Sequence, residues 1–166
     1  MAQPKRLDGI SYDQLAASFV TAVARNRVKA FSDHDFAQFI VTSLIAIAAL
    51  FKFEVTAYVV MPDHVHFVVT AIEENADFKE MMKKWKQKTG YEFSQLHGRR
   101  LWQKGYWERV LRDGDNPLSV CRYLIENPVR ARLVTHPSEY PLCGSTQYTI
   151  DEICQAVQMK GWWTPY

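Results

Sequence analysis

The chain has 166 residues, which is enough for one domain with a hydrophobic core. Its 48% hydrophobic and 23% charged residues exclude a disordered protein, and its longest apolar run, residues 44–51, is too short to span a membrane. The three cysteines form no CxxC pair and no secretory signal is visible, so we expect reduced thiols in a cytoplasmic protein.

The first half of the chain predicts a strand, a helix and a pair of strands. Alternation over residues 18–24 predicts the first strand, which leads into a basic turn at 25–27. Ser32 is the expected N-cap of a helix, with two aspartates in its first turn. Two β-rich runs, 53–61 and 64–70, flank Pro62-Asp63 and predict a hairpin or a tightly bent pair of strands. Apolar residues at helical spacing predict the buried face of the helix: Phe36, Phe39, Ile40, Leu44, Ile47, Leu50 and Phe51.

The second half predicts a second helix over residues 77–89, with Gly90 as its stop. A short strand follows at 105–111, and then turn residues at 112–115. Asn116-Pro117 predicts the start of a third helix, which runs to about residue 126 before Asn127-Pro128 interrupts it. Thr149 and Glu152 form a capping-box pattern for a last helix ending near residue 161.

The order of the first six elements is β-α-β-β-α-β, followed by additional C-terminal helices. This order is typical of the α+β, ferredoxin-like split βαβ fold, an antiparallel sheet with helices packed on one face. We expect a single domain over residues 1–166, with an N-terminal extension at 1–17 and a C-terminal helix and tail at 149–166.

A strongly basic segment covers residues 79–112, which contain ten lysines and arginines but only three acidic residues. Aromatic residues are interleaved with these charges, and this combination suits a polyanion whose flat bases can stack on protein side chains. The segment therefore favours nucleic acid as a partner. A solvated, lysine-rich helix face is the alternative that the charge pattern leaves open.

His64 and His66 are two residues apart in the third predicted strand. Side chains at this spacing project from the same face of a sheet, so the two imidazoles could bind one divalent cation. Two packed or hydrogen-bonded histidines are the alternative. No third histidine lies close in the chain, and a structural zinc site would need cysteines at close spacing.

Tyr123 and Asn127 are four residues apart and share one helix face. Together with two histidines they suit a phosphate site in which a phenol attacks phosphorus and retains one product covalently. Tyr123 could equally be an amphipathic residue at a helix–sheet boundary, and spacing alone does not select it among eight tyrosines.

Three motifs resemble a known family in matching order: AYVVMPDHVHFVV at 57–69, LWQKGYWERVLRD at 101–113 and YLIENPVRA at 123–131. They are similar to the HUH single-stranded-DNA nucleases, and in particular to the REP-associated tyrosine transposases. The resemblance implies a ferredoxin-like fold, with Mg²⁺ or Mn²⁺ held by His64 and His66. It implies that Tyr123 is the nucleophile, that it becomes linked to a 5′ phosphate, and that Asn127 lies next to the metal.

The resemblance also implies a substrate, a palindromic hairpin flanked by a short single strand. We therefore predict a metal-dependent DNA nickase and strand transferase that works as a monomer or a homodimer. The alternatives are a catalytically silent hairpin-binding regulator and a metal-dependent hydrolase of small phosphoesters. The residues predicted to contact the DNA are Arg25, Arg27, Lys83, Lys84, Lys86, Arg99, Arg100, Lys104, Arg109 and Arg112.

Overall fold

The computed structural model describes residues 16–112 and 114–158. Within these ranges the strands are β1 (Ala17–Val23), β2 (Phe53–Met61), β3 (His64–Ala71), β4 (Trp107–Val110) and β5 (Cys143–Gly144). The α-helices are α1 (His34–Leu50), α2 (Phe78–His97), α3 (Pro117–Ile125), α4 (Asn127–Arg130) and α5 (Ile150–Cys154). No helix in the described ranges combines the length and apolar character that a bilayer span requires.

The strands form one antiparallel sheet in the order β4-β1-β3-β2-β5. The first four strands have the interleaved order of a split βαβ fold, which confirms the predicted ferredoxin-like architecture. The hairpin at Pro62-Asp63 joins β2 and β3 as predicted, with Met61 opposite His64. The two-residue strand β5 extends the free edge of β2, and it is too short to leave a periodic signal in the sequence.

Helices cover both faces of the sheet, so the expectation of helices on one face is wrong. α1 and α2 pack on the face formed by Val65, Phe67 and Val69 of β3. α3 and α5 pack on the opposite face, against a cluster that includes Phe19 and Val68. The physical reason is that β1 is buried along its whole length on both faces, and β3 along most of its length. Both sides therefore need an apolar cover.

Two details of α1 differ from the prediction. The N-cap is Asp33 rather than Ser32, because the Asp33 carboxylate accepts a hydrogen bond from the backbone N–H of Phe36 at 3.0 Å. Ser32 instead belongs to a short 3₁₀ turn that precedes the helix. Leu50 is 72% exposed, although it was placed on the buried face, because it lies at the margin of that face in the last turn.

Helix α2 continues for two turns past Gly90, which was the predicted stop. Its buried residues Trp85, Thr89 and Phe93 lie on both sides of the glycine, and their packing outweighs the poor helix propensity of Gly90. The helix ends at His97, where Gly98 adopts a left-handed conformation with φ of 64°.

The remaining elements are shorter than predicted. β4 covers four of the seven residues expected for it, and α3 begins at Asn116-Pro117 as predicted and is followed by a break at Glu126. α5 has the predicted capping box at Thr149 but ends at Cys154, because Ile153 is buried while Val157 is 74% exposed and offers no further contact. The predicted end near residue 161, Asp113, and the extension before residue 16 lie outside the described residues.

Trp85 is the largest fully buried side chain, and its loss should be costly. Its indole N–H donates to the Ile40 carbonyl at 3.3 Å and its ring packs edge-on against Phe67. We expect Trp85→Ala to lower the free energy of unfolding by about 3–5 kcal/mol in urea titrations. Leu96→Ala, on the exposed side of α2, should change it by less than about 0.5 kcal/mol. Equal effects of the two substitutions would contradict the assigned core.

Candidate active site

The two histidines project from the sheet face that α3 covers. In β3 they alternate with Val65 and Phe67, which point to the opposite face. His66 lies opposite Thr21 of β1, and His64 lies opposite Val23. The two imidazole centroids are 4.6 Å apart and the rings are nearly perpendicular. The strand thus brings both rings to one point near the end of the sheet.

A hydrogen bond at Nδ1 orients each imidazole. The Thr21 hydroxyl lies 2.8 Å from Nδ1 of His66, and the Asp63 carboxylate lies 2.5 Å from Nδ1 of His64. Asp63 is also paired with the Arg27 guanidinium at 3.2 Å. A metal ion would therefore be coordinated through the two Nε2 atoms. Anchoring of the second ring nitrogen is the usual arrangement around metal-ligating histidines.

Both histidines are held in the neutral form that metal coordination requires. Burial lowers the pKa of His66 well below its usual value, and the neighbouring His64 and Arg130 lower it further. Burial also lowers the pKa of His64, although Asp63 opposes this effect. The Asp63 carboxyl has a lowered pKa: burial alone would raise it, but the hydrogen bonds and charges of His64 and Arg27 outweigh that effect. Neutral imidazoles need not release a proton when a metal binds.

The donor set fits an open metal site better than a closed structural one. Among the described residues, no group of three or more His, Cys, Asp and Glu side chains could enclose an ion. Two imidazoles therefore leave coordination positions for water, an amide oxygen or a phosphate oxygen. This mixed set suits Mn²⁺ at least as well as Mg²⁺, which prefers oxygen ligands.

The role of Asp63 can be tested through metal affinity. We expect Asp63→Ala to weaken Mn²⁺ binding by about 10–100-fold in calorimetry, because the His64 ring loses the hydrogen bond that orients it. The matched control is Glu74→Ala, which removes an exposed carboxylate from the turn before α2. An affinity equal to that of the wild-type protein would show that Asp63 does not support the site.

Tyr123 lies on α3, the helix that covers the histidine face. Val120 and Leu124 of this helix pack in the same cluster as Phe19, whose ring lies 5.5 Å from that of His66. The Tyr123 hydroxyl oxygen is shielded from solvent. Burial raises the pKa of this phenol, and the charge of Arg130 counteracts the rise. At neutral pH the hydroxyl is therefore protonated.

Arg130 links Tyr123 to the histidines. Its guanidinium carbon lies 4.2 Å from the centroid of the Tyr123 ring, and its charge contributes to the lowered pKa of His66. A guanidinium that contacts the phenol and also acts on the imidazole indicates that these groups share one region of the molecule.

Asn127 is the first residue of α4, after the break that follows α3. Its side-chain N–H donates to the Leu124 carbonyl at 2.8 Å, which fixes the orientation of the amide. Its role as a metal ligand stays a prediction.

Four of the predicted DNA contacts line one cleft of about 550 Å³ at the end of β1. Backbone hydrogen bonds join the two segments that line it, with the Arg25 N–H donating to the Leu101 carbonyl at 2.7 Å and the Gln103 N–H donating to the Val23 carbonyl at 2.9 Å. Arg27 of this cleft pairs with Asp63, so the cleft adjoins the histidine site. The cleft is lined by Arg25, Asn26, Arg27, Arg100, Trp102, Gln103 and Lys104.

The α2 lysines lie on the other layer of the molecule, because α2 packs on the sheet face away from the histidines. Lys83 pairs with Glu80 at 2.9 Å on the surface. The half-buried Lys86 donates to the Gln103 carbonyl at 3.1 Å and to the Gly105 carbonyl, so its ammonium supports the segment that forms the cleft. DNA contacts by these lysines stay predictions.

The other predicted cations are scattered. Arg109 of β4 lies opposite Phe19, on the histidine face, and pairs with Asp115 at 3.3 Å. Arg112 is exposed just after β4. Arg99 lies 5.8 Å from the ring centroid of Phe93, the aromatic residue near the end of α2. The structure therefore groups the cleft residues with the histidines, and of the predicted α2 lysines it brings Lys86 against the cleft-lining Gln103 and Trp102.

Three residues of the site escaped the sequence analysis as functional residues: Thr21, Asp63 and Arg130. Asp63 precedes His64 directly, and that adjacency is a signal that could have identified it. The contact of Thr21 depends on the register between β1 and β3, which no local pattern reveals. Arg130 lies one helix beyond Tyr123 and reaches back across the break at Glu126.

Comparison with known proteins decides the family. The family model described as "Transposase IS200 like" matches residues 11–127. The chain belongs to this family. A REP-associated tyrosine transposase of Escherichia coli (strain K12) is 30% identical over 90 residues, which are 54% of the chain, and the chain spans about half (52%) of that relative's length.

Two solved structures resemble the chain. One is a REP-associated tyrosine transposase bound to a REP hairpin, with a TM-score of 0.67, 25% identity, and coverage of 91% of this chain and 90% of that one. The other, a transposase-like protein from Deinococcus radiodurans R1, has a TM-score of 0.52, 18% identity and coverage of 78% and 92%, and it shows the fold alone. These findings confirm the family resemblance read from the three motifs.

Proposed function

We propose that this IS200-like transposase is a metal-dependent single-stranded DNA nickase and strand transferase that acts on hairpin DNA through a covalent 5′-phosphotyrosine. The observation that carries the proposal is the arrangement of two Nδ1-anchored, neutral histidines on the sheet face covered by the helix of Tyr123. A neutral histidine pair, a shielded phenol and adjacent cations suit phosphodiester chemistry.

In the cleavage step the Tyr123 oxygen attacks the phosphorus of one phosphodiester. The Tyr123 O–P bond forms and the P–O3′ bond breaks, and the proton that the phenol loses passes to the departing 3′ oxygen. The 5′ phosphate remains on Tyr123. Transfer is the reverse reaction, in which the 3′ hydroxyl of an acceptor strand attacks the phosphotyrosine and Tyr123 is released. The bond energy is conserved throughout, so no nucleotide cofactor is needed.

His64 and His66 would hold the divalent ion, Mg²⁺ or Mn²⁺, with Asn127 as the proposed additional ligand, directly or through water. When bound, the ion supplies Lewis-acid polarisation of the phosphoryl oxygens. The protein contributes the orientation of the two rings through Thr21 and Asp63. It also shields the Tyr123 oxygen from water.

A DNA hairpin is the proposed substrate, because the solved relative that covers nine-tenths of this chain is bound to a hairpin. The cleft at the end of β1 supplies four cations beside the histidines. We propose that this cleft holds the backbone of the DNA strand that approaches the histidines. Trp102 lines the same cleft, and we propose that its solvent-accessible part contacts an unpaired base.

The experiment is an adduct assay with end-labelled DNA hairpins that carry single-stranded flanks and the protein loaded with Mn²⁺. We expect a labelled band at the mass of protein plus DNA on a denaturing gel, and a free 3′ hydroxyl on the other product. Hairpin binding without any adduct would favour the silent DNA-binding alternative. Strand cleavage without an adduct would favour hydrolysis by water instead.

The two groups of cations can be compared directly. We expect the double substitution Arg100→Ala/Lys104→Ala to weaken hairpin binding more than Lys83→Ala/Lys84→Ala, because only the first pair lines the cleft beside the histidines. The slope of log affinity against log salt should fall by about 1.4 for the cleft pair, at about 0.7 for each single-strand phosphate contact. Fluorescence anisotropy at several salt concentrations measures this. An equal or larger effect of the α2 pair would contradict the proposed path of the DNA.

A further inference from the structure

Arg130 makes two separate contacts with Tyr123. Its guanidinium lies over the phenol ring at 4.2 Å from the centroid, and its Nη2 donates to the Tyr123 backbone carbonyl at 2.5 Å. One contact fixes the plane of the ring and the other fixes the backbone that carries it. At the end of α3 the Glu126 N–H bonds to the Arg122 and Leu124 carbonyls, and Arg130 is the residue that bonds to the Tyr123 carbonyl.

Glu126 holds the guanidinium in place. Its carboxylate lies 3.6 Å from Nη1 of Arg130 and 2.8 Å from Nε of Arg122. The Arg122 guanidinium is anchored in turn to the Ala156 carbonyl at 2.5 Å. A surface ion pair between two mobile side chains contributes little, but here a chain of contacts restrains each partner. Arg130 is therefore fixed before any ligand arrives.

The Arg130 charge lies over the ring of Tyr123, whose hydroxyl oxygen is buried. It counteracts the rise in the pKa of Tyr123 that burial causes. It is compatible with a site that receives an anionic ligand.

We propose that Arg130 is a positioning residue for the nucleophile, clamping the Tyr123 ring in the orientation from which its oxygen reaches phosphorus. This inference rests on the proposed function and adds to it a residue of the motif at 123–131 that is not among the four to which the resemblance gives a role, His64, His66, Tyr123 and Asn127. A planar guanidinium suits the role, because it can stack on an aromatic face and donate a hydrogen bond in its plane at the same time.

The first test is the rate of adduct formation with Mn²⁺ at saturating hairpin. We expect Arg130→Ala to lower this rate by about 100-fold, as misplacement of a reacting group does. Arg130→Lys, which keeps the charge but not the plane, should recover only a small part of it. Added guanidinium ion should accelerate Arg130→Ala by at least about tenfold and leave the wild-type rate unchanged. A structural role would not produce this rescue.

The control is Arg132→Ala, which removes an exposed arginine two residues further along the chain. It should retain the wild-type rate and hairpin affinity. A rate for Arg130→Ala within twofold of the wild type, or a loss that guanidinium does not restore in a protein with unchanged hairpin affinity, would overturn the proposal.

A second measurement does not depend on activity. In protein labelled with 3-fluorotyrosine, the ¹⁹F resonance of Tyr123, assigned with Tyr123→Phe, should shift in Arg130→Ala and stay unchanged in Arg132→Ala. If the wild-type protein forms no adduct, the proposed function has failed. The ¹⁹F spectrum then still tests whether Arg130 fixes the orientation of the Tyr123 ring. An unchanged Tyr123 resonance in Arg130→Ala would overturn it.

Discussion

Tyr123→Phe should abolish the covalent protein–DNA adduct, lowering its rate of formation by at least about a thousandfold. The substitution removes a single oxygen atom and keeps the ring beneath Arg130, so packing is preserved. Hairpin affinity and the free energy of unfolding should therefore remain near their wild-type values. The adduct assay on denaturing gels measures the first quantity, and anisotropy and urea titration measure the others.

The matched control is Tyr91→Phe, which removes the same oxygen from a residue that is 64% exposed on α2. It should form the adduct at the wild-type rate. An adduct that persists in Tyr123→Phe would reject Tyr123 as the nucleophile. Loss of the adduct in Tyr91→Phe would contradict the placement of the reaction on the sheet face that α3 covers.

The second large effect is expected at the histidines. His64→Ala should lower the affinity for Mn²⁺ by at least about 100-fold in calorimetry, since loss of a ligand exceeds the 10–100-fold typical of a supporting residue. Adduct formation should fall in parallel. His64 is chosen because it is partly exposed, whereas His66 is buried against Phe19 and its replacement would also disturb the core.

His34→Ala is the control, because His34 is an exposed histidine at the start of α1. It should bind Mn²⁺ as the wild-type protein does. Equal metal affinity of His64→Ala and the wild type would mean that the histidine pair is packed rather than ligating, which is the alternative that the sequence left open.

Much of the fold was predictable because hydrophobic periodicity reflects burial directly. The run at 53–61 was predicted with the bounds that β2 has in the structure, and the caps at Asn116 and Thr149 act on their own helices. These signals are local. Each depends on residues within one turn or one strand, and tertiary packing agrees with them.

The failures occur where distant contacts decide the outcome. Gly90 does not end α2, because the face carrying Trp85 and Phe93 continues past it and is buried against the sheet. The position of α3 on the second face could not be deduced from its own pattern, since any amphipathic helix can cover either side. Its partner is known only once the strands are paired.

The candidate site likewise contains residues that a local pattern predicts and contacts that depend on distant parts of the chain. His64 and His66 share a face because of the two-residue period of a strand, so their proximity follows from sequence alone. The hydrogen bond from Thr21 depends on strand register, and the clamp by Arg130 depends on a break between two helices. The cleft joins residues about 75 positions apart, which the pairing of Ala24 with Trp102 brings together.

The most direct test of the account is a crystal structure with Mn²⁺ and a hairpin, in which anomalous scattering locates the ion. We expect the ion between the Nε2 atoms of His64 and His66, with one phosphate contacting both the ion and the Tyr123 hydroxyl. An ion bound elsewhere, or a Tyr123 hydroxyl directed away from that phosphate, would contradict the account.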